Sequence, residues 1–340
     1  MRYFLGSSIF TFFALLSACL WAHKMHPGAE FKALFAVLIL SILEISLSFD
    51  NAVVNASKLE KMSHLWQQRF LSWGIIIAVF GMRFLFPILV VAIFSGLSLI
   101  DVAIMAINDA DKYTYYLHSA HPPIITFGGA FLIMLFLNYF FNEKKEVHWI
   151  GFIEKKLVKL AGIKGLNVII TLLLLYFQQN FIADNKLEVL TAGIWGIIIY
   201  LLIEGISSAL ENKNEGDSSN CTKHFSLSNS CFVNFLYLEL IDASFSLDGV
   251  LGAFALSKDI LIITIGLSIG AMFVRSLTIM LVEKKTLKEF IYLEHGAHYA
   301  IGALGIIMLI SAFFEISEII TGLIGVVFIL AAFVCSLKKA

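Results

Sequence analysis

Apolar residues run in blocks of about twenty along this chain, separated by short polar stretches, from residue 3 to residue 337. A block of that length crosses a ~30 Å hydrocarbon core as an α-helix. The 9–11-residue alternation of a membrane barrel is absent. The pattern predicts an all-α, polytopic membrane protein of about ten transmembrane helices. They fall at roughly 3–22, 31–56, 71–97, 124–142, 166–182, 188–208, 231–256, 260–282, 296–314 and 318–337. Charged residues make up 14% of the chain, against about 25% in a soluble domain, so the positions of the charges carry the information.

Lysine and arginine sort by side. With the N-terminus cytoplasmic, seventeen fall in inner segments and five (Lys24, Lys32, Lys112, Lys186, Lys258) in outer ones, while Arg83 and Arg275 lie inside spans. The excess on the inner side predicts a bacterial inner-membrane protein with both termini in the cytoplasm. The net charge of −1 points to no nucleic-acid partner; the lipid bilayer is the expected one. Cys19, Cys221, Cys231 and Cys335 have no metal-ligand spacing. Leu16-Ser17-Ala18-Cys19 has the form of a lipoprotein cleavage site, but Arg2 is the only basic residue ahead of it. An uncleaved first helix is the reading taken.

Two stretches about 200 residues apart nearly repeat one another: Glu44-Ile-Ser-Leu-Ser48-Phe-Asp50-Asn51 and Asp242-Ala-Ser-Phe-Ser246-Leu-Asp248-Gly249. Each is followed in the next span by an arginine, in Gly81-Met-Arg83 and in Gly270-Ala-Met-Phe-Val-Arg275. Phe127-Gly-Gly-Ala130 and Glu294-His-Gly-Ala297 then open the fourth and ninth spans. Because the motifs sit in the second and seventh spans, the two halves run in opposite directions. An inverted three-helix repeat is expected, the plan of many transporters built around a midplane site. The expected organisation is a first span and outer loop (1–29), a first repeat (30–143), a basic interfacial segment with linking spans (144–208), a cytoplasmic loop (209–230), a second repeat (231–315) and a C-terminal span (316–340).

On a continuous helix Glu44, Ser48 and Asn51 share a face about 60° wide, with Asp50 about 120° from Glu44. Asp242, Ser246, Gly249 and Glu239 form the matching face, with Asp248 offset likewise. Six acids fall inside spans (Glu44, Asp50, Glu204, Glu239, Asp242, Asp248) against two arginines. A charge near a helix centre costs roughly 2.5–3.5 kcal/mol on insertion scales, so cations or protons are expected to balance the remainder. Carboxylate, hydroxyl and amide oxygens suit hard cations such as Mn²⁺, Mg²⁺ or Ca²⁺. The candidate metal residues are Glu44, Asp50, Asn51, Asp242 and Asp248, with Ser48, Glu239 and Ser246 as further possibilities and Arg83 and Arg275 balancing charge. A purely structural ion-pair network is the alternative.

Other polar features read as ordinary. Residues 143–165 alternate lysines with apolar residues and predict a helix on the inner membrane face. Residues 211–230 read as a polar loop. Glu294, His295 and His298 do not form a HExxH site and suit capping as well as metal. Glu315 and Glu318 lie in an outer turn. No P-loop or Gly-x-Gly-Asp turn of an intramembrane aspartyl protease is present, and no enzymatic activity or bound cofactor is expected.

Glu44-x5-Asp50-Asn51, Asp242-x5-Asp248-Gly249 and the arginine after each resemble the tellurium-resistance TerC family of the LysE-type transporter superfamily. Ser46-Leu-Ser-Phe-Asp-Asn-Ala-Val-Val-Asn55, Phe80-Gly-Met-Arg-Phe-Leu-Phe-Pro87, Phe127-Gly-Gly-Ala130 and Leu293-Glu-His-Gly296 resemble more nearly an uncharacterised bacterial branch of it, a domain of unknown function. The likeness covers roughly residues 30–315. It implies a multipass inner-membrane protein and, from the best-understood TerC relatives, manganese efflux through the acidic motifs. The second motif departs from the usual Asp-Ser-Ile-Pro-Ala, reading Asp248-Gly-Val-Leu-Gly252, without the proline. The expected function is a secondary transporter of divalent cations, most plausibly exporting Mn²⁺ by alternating access, with protons as counter-ion. An exporter of a small organic solute and a non-transporting protein of metal loading or stress resistance are the other readings.

Overall fold

A helix satisfies its own backbone polar groups, which lipid demands, and 87% of the described residues are helical, with no strand among them. The computed structural model describes residues 2–25, 27–60, 62–142, 147–160, 162–182, 185–216, 222–257, 259–314, 316 and 318–339. Inside those ranges the side chains of residues 2, 71, 94, 207, 209–216, 222–230, 244–248, 251, 252, 255, 288, 318 and 319 are outside the description.

The first half holds α1 (Leu5–Met25), α2 (Glu30–Leu47), α3 (Phe49–Leu59), α4 (His64–Ile76), a π-helical stretch (Ile77–Leu85), α5 (Phe86–Ser95), α6 (Leu99–Asn108) and α7 (Ala110–Phe140). Then come α8 (Gly151–Leu160), α9 (Leu166–Gln178) and α10 (Lys186–Gly216). The second half holds α11 (Thr222–Leu256), α12 (Ile260–Glu283), the short α13 (Thr286–Glu289), α14 (Leu293–Ser311) and α15 (Glu318–Leu337).

Among the described residues, seven helices are long and apolar enough to cross a membrane, and eight if the bent pair α2–α3 is one span. The expected fifth span is the 13-residue α9, about 20 Å long at 1.5 Å per residue and so shorter than a hydrocarbon core. The expected seventh lies within the 35-residue α11. The expected fourth is longer than its apolar run: α7 starts at Ala110, capped by the Asp109 side chain on Lys112 N–H at 3.1 Å. It continues through Pro122 and Pro123, so the polar residues before 124 are helix rather than loop. The loop expected at 211–230 is mostly helical as well: α10 runs to Gly216 and α11 begins at Thr222, with residues 217–221 outside the description. Glutamate and lysine are good helix formers, and polarity alone does not end a helix.

Burial divides the helices by position. Residues 128–135 of α7 are all buried, and α7 packs against α10, α11 and α14, while α12 packs along α2. Glycines set the second contact: a Cβ at Gly266 would lie 2.7 Å from Leu40 Cβ, and one at Gly270 would lie 2.4 Å from Glu44 Cβ. By contrast α1, α10 and α15 turn large apolar side chains outward (Phe12, Phe13, Trp195, Leu202, Leu323, Val327), as lipid-facing helices do.

Candidate site: a buried arginine–carboxylate network

The first motif does not lie on one straight helix. Between α2 and α3 the axis bends by 51° at Ser48, whose φ of −104° and ψ of 15° leave the helical region. No proline or glycine stands there. Asp50 Oδ1 accepts from Asn51 N–H at 2.9 Å, a side-chain bond that competes with the helical ladder. Ser48 Oγ donates to Glu44 Oε1 at 3.1 Å. The single face expected for Glu44, Ser48 and Asn51 is therefore split across two helices. The second motif, in contrast, lies within unbroken α11.

The two motifs meet reciprocally, the end of each against the start of the other. Asn51 Nδ2 donates to Asp242 Oδ1 at 2.7 Å. At the matching position of the second motif, a Cβ on Gly249 would lie 3.2 Å from Glu44 Oε2. Glu44, Asn51 and Asp242 are all buried.

Both arginines are drawn into this centre. Arg83 lies in the π-helical stretch and donates to Glu44 Oε1 and, at 2.6 Å, to Ala78 O. The wider π turn is a common mark of functional positions. Pro87 lacks the N–H that would continue the ladder to the Arg83 carbonyl, and Thr264 Oγ1 approaches that carbonyl at 3.4 Å. Arg275 binds Glu239 at 3.1 and 3.3 Å and Phe70 O at 3.1 Å, with its guanidinium 4.0 Å from the Phe70 ring centre. A Cβ at Gly74 would fall 2.3 Å from Arg275 Nη1, so the third span needs a glycine beside this pair. Asp242 Oδ2 stands between the arginines, 3.9 Å from Arg83 Nη1 and 3.7 Å from Arg275 Nη2. These are ion-pair distances too long for hydrogen bonds.

Three buried oxygens in this region have no hydrogen-bond partner among the described residues: Asp242 Oδ2, Asn51 Oδ1 and Asn55 Oδ1. Asn51 and Asn55 are one turn apart on α3 and so share a face. Asn55 lies outside the repeated octet, although its i+4 spacing from Asn51 is visible in the sequence. Asp50 is also buried, but it lines a different space, with Leu47, Ala300, Leu304, Thr321, Gly322 and Gly325.

The remaining expected residues are dispersed. The side chains of Ser246, Asp248 and Glu318, and residue Glu315, are outside the description. Glu204 accepts from Asn138. Glu294 accepts from Ser57 Oγ at 2.8 Å, His295 Nε2 lies 2.9 Å from Val147 O, and His298 stacks on Tyr139 at 3.5 Å. In α8, Glu154 is fully buried, bonded by Trp149 N–H, Ile150 N–H and Tyr299 Oη. α8 is thus fastened to α14 by an acid that its lysine-rich sequence obscures. Among the described residues, no group of three or more His, Cys, Asp or Glu side chains is placed to hold a metal ion.

Fold and site together define an all-α membrane protein with a buried arginine–carboxylate network at its centre. Residues 49–340 match the family described as protein of unknown function, DUF475, and the chain belongs to that family. The matched region takes in Asp50, Asn51, Arg83, Asp242 and Arg275, and starts just after Glu44 and Ser48. No curated protein and no solved structure matches the chain.

Proposed function

We propose that the protein is a secondary transporter of divalent cations, with Mn²⁺ export as the leading case. The observation that carries this reading is the set of buried oxygens left without donors: Asp242 Oδ2, Asn51 Oδ1 and Asn55 Oδ1. Buried polar atoms are ordinarily partnered, and three acceptor oxygens without donors suit a cation; Arg83 Nε is the donor of the same network left without an acceptor. Oxygen donors of this kind favour hard ions. In the empty state the arginines hold the carboxylates: Arg83 with Glu44, Arg275 with Glu239, and Asp242 shared between them. Loading a cation at Asp242, Asn51 and Asn55 would loosen that sharing and couple binding to movement of one half against the other.

The reciprocal contacts Asn51–Asp242 and Gly249–Glu44 favour an inverted repeat within ten spans, as do the matched arginines. The motif resemblance to TerC supports the same class and cargo. The orientation we propose places both termini in the cytoplasm of a bacterial inner membrane. In a cysteine-free background, cysteines at Asn214 and Lys339 should resist an impermeant thiol reagent in intact cells, and one at Lys112 should react. Labelling at Asn214 would reverse or break that topology.

The function is tested in cells. Those lacking the gene should accumulate manganese and grow less well when it is abundant, and restoring the gene should reverse both effects. Unchanged metal content and growth would favour the second reading, a structural network without transport. The closed pairing of Glu44 and Glu239 by arginine is what speaks for that alternative.

A further inference from the structure

Away from the buried network, residues 147–165 separate their charges by sign. The one acid of this stretch, Glu154, is fully buried and accepts from Trp149 N–H, Ile150 N–H and the Tyr299 hydroxyl. The four lysines, Lys155, Lys156, Lys159 and Lys164, are all exposed. At 100° per residue, Glu154 and the half-buried Leu157 and Val158 share the side of α8 turned to the protein, and Lys155, Lys156 and Lys159 fall within an arc of about 100° on the opposite side. The carboxylate that would offset the lysines is turned inward. Residues 143–146, two glutamates and two lysines, are outside the description and add no net charge.

The outward side also carries apolar groups. Phe152 is 75% exposed, and Lys156 Nζ lies 3.9 Å from its ring centre. Ile153, Leu160 and Ile163 are exposed too, and along the chain this surface continues into Ile169, Leu172 and Leu173 of α9. With ten residues, α8 is about 15 Å long, too short to cross a bilayer. His295 Nε2 lies 2.9 Å from Val147 O, and the Trp149 and Tyr299 rings meet at 5.7 Å. These contacts set α8 beside the Leu293 end of the α14 span, where hydrocarbon gives way to headgroups. Exposed apolar side chains enter the acyl boundary there, while lysines stop at the phosphates.

We propose that α8 is a binding site for anionic phospholipid. Lys155, Lys156 and Lys159 hold the net-negative headgroup, Phe152, Ile153 and Leu160 reach the acyl chains, and Glu154 anchors the helix so that this side stays outward. Every lipid-facing helix touches lipid; a basic face without an exposed acid selects the lipid by charge. Continuity with the exposed apolar side of α9 favours a bilayer lipid over a soluble acidic partner. The site does not rest on the transporter reading.

Gly162 gives a place to watch it. It is exposed, and a Cβ there would meet nothing within 4 Å. The full-length protein, cysteine-free except for a fluorophore on Gly162→Cys, is placed in nanodiscs of nine parts phosphatidylcholine to one part phosphatidylglycerol. Either one lipid or the other carries brominated chains, and the quenching by each reports its share of the lipid beside α8. A lysine near an anionic surface contributes roughly fivefold, so phosphatidylglycerol should be enriched at least about fivefold over its bulk share.

The enrichment should fall toward the bulk share at 1 M salt, where charges are screened within about 3 Å. It should vanish in the triple variant Lys155→Gln, Lys156→Gln, Lys159→Gln, with an unchanged unfolding temperature in phosphatidylcholine alone. Parent quenching at the bulk ratio, or enrichment that neither salt nor the three substitutions reduce, would overturn the site. Quenching by neither lipid would place this side of α8 in water, open to a soluble acidic partner, and would overturn it as well.

Discussion

The two acidic motifs are nearly the same sequence in different structures, and the difference lies in how each acid is held. In the second motif, Asp242 receives a side-chain amide from Asn51 across the contact. In the first, Glu44 faces Gly249, which has no side chain to offer, and takes the guanidinium of Arg83 and the hydroxyl of its own Ser48 instead. The first motif breaks its helix at Ser48, while the second lies in unbroken α11. A repeat can therefore conserve where its charges sit while changing how they are satisfied. In the structure, Glu44 is closed by an ion pair and Asp242 retains an oxygen without a donor.

The largest effect should follow from removing the arginine on the closed side. Arg83→Ala leaves Glu44 buried without its counter-charge, and breaking a buried pair costs about 3–5 kcal/mol. Poor expression and a lowered unfolding temperature in detergent are expected, with partial recovery in the double variant carrying Glu44→Gln. An Arg83→Ala protein as stable as the parent would show that the pair does not hold the first motif.

Next comes the amide on the open side. Asn51→Ala removes the donor to Asp242, and a hydrogen bond to a charged group contributes about 1.5–3 kcal/mol. Thermal unfolding should show a loss in that range, below that of Arg83→Ala. An equal or larger loss would mean that Asn51, rather than the arginines, is the principal partner of Asp242.

The matching change on the other motif should be milder. Gly249→Ala places a methyl 3.2 Å from Glu44 Oε2, which the carboxylate accommodates by a small shift, at the low end of overpacking costs, about 1 kcal/mol. Loss on the scale of Arg83→Ala would show that the motifs cross more tightly than this contact indicates. Smallest of all, Glu318→Gln at the start of α15 should leave stability within about 0.5 kcal/mol and transport unchanged. A large effect there would extend the site to the start of α15.

Much of this comparison was legible in the sequence. The apolar blocks gave the helical membrane class, and the position of Glu44, Glu239, Asp242, Arg83 and Arg275 inside them gave the participants, because charge in lipid must have a reason. The bend at Ser48 was not legible. Breaks are read from proline and glycine, and here neither is present; a serine and an aspartate side chain take up local groups instead. The π-helical turn that places Arg83 likewise has no local signature. Asn55 escaped because it lies outside the repeated octet, and the burial of Glu154 because contacts from α14 decide it. Helices extend beyond their apolar stretch, as α7 does before residue 124, since hydropathy reports contact with lipid rather than the ends of helices.

The proposed transport site places a cation at Asp242, Asn51 and Asn55. Manganese flux into vesicles reconstituted with the parent and with Asp242→Asn tests it most directly, because that substitution keeps side-chain size and removes the charge. The parent should carry manganese well above empty vesicles, and a folded Asp242→Asn should lose at least about tenfold, the equivalent of ~1.4 kcal/mol of cation binding. Parent flux no greater than that of empty vesicles, or Asp242→Asn transporting at the parent rate, would contradict the account.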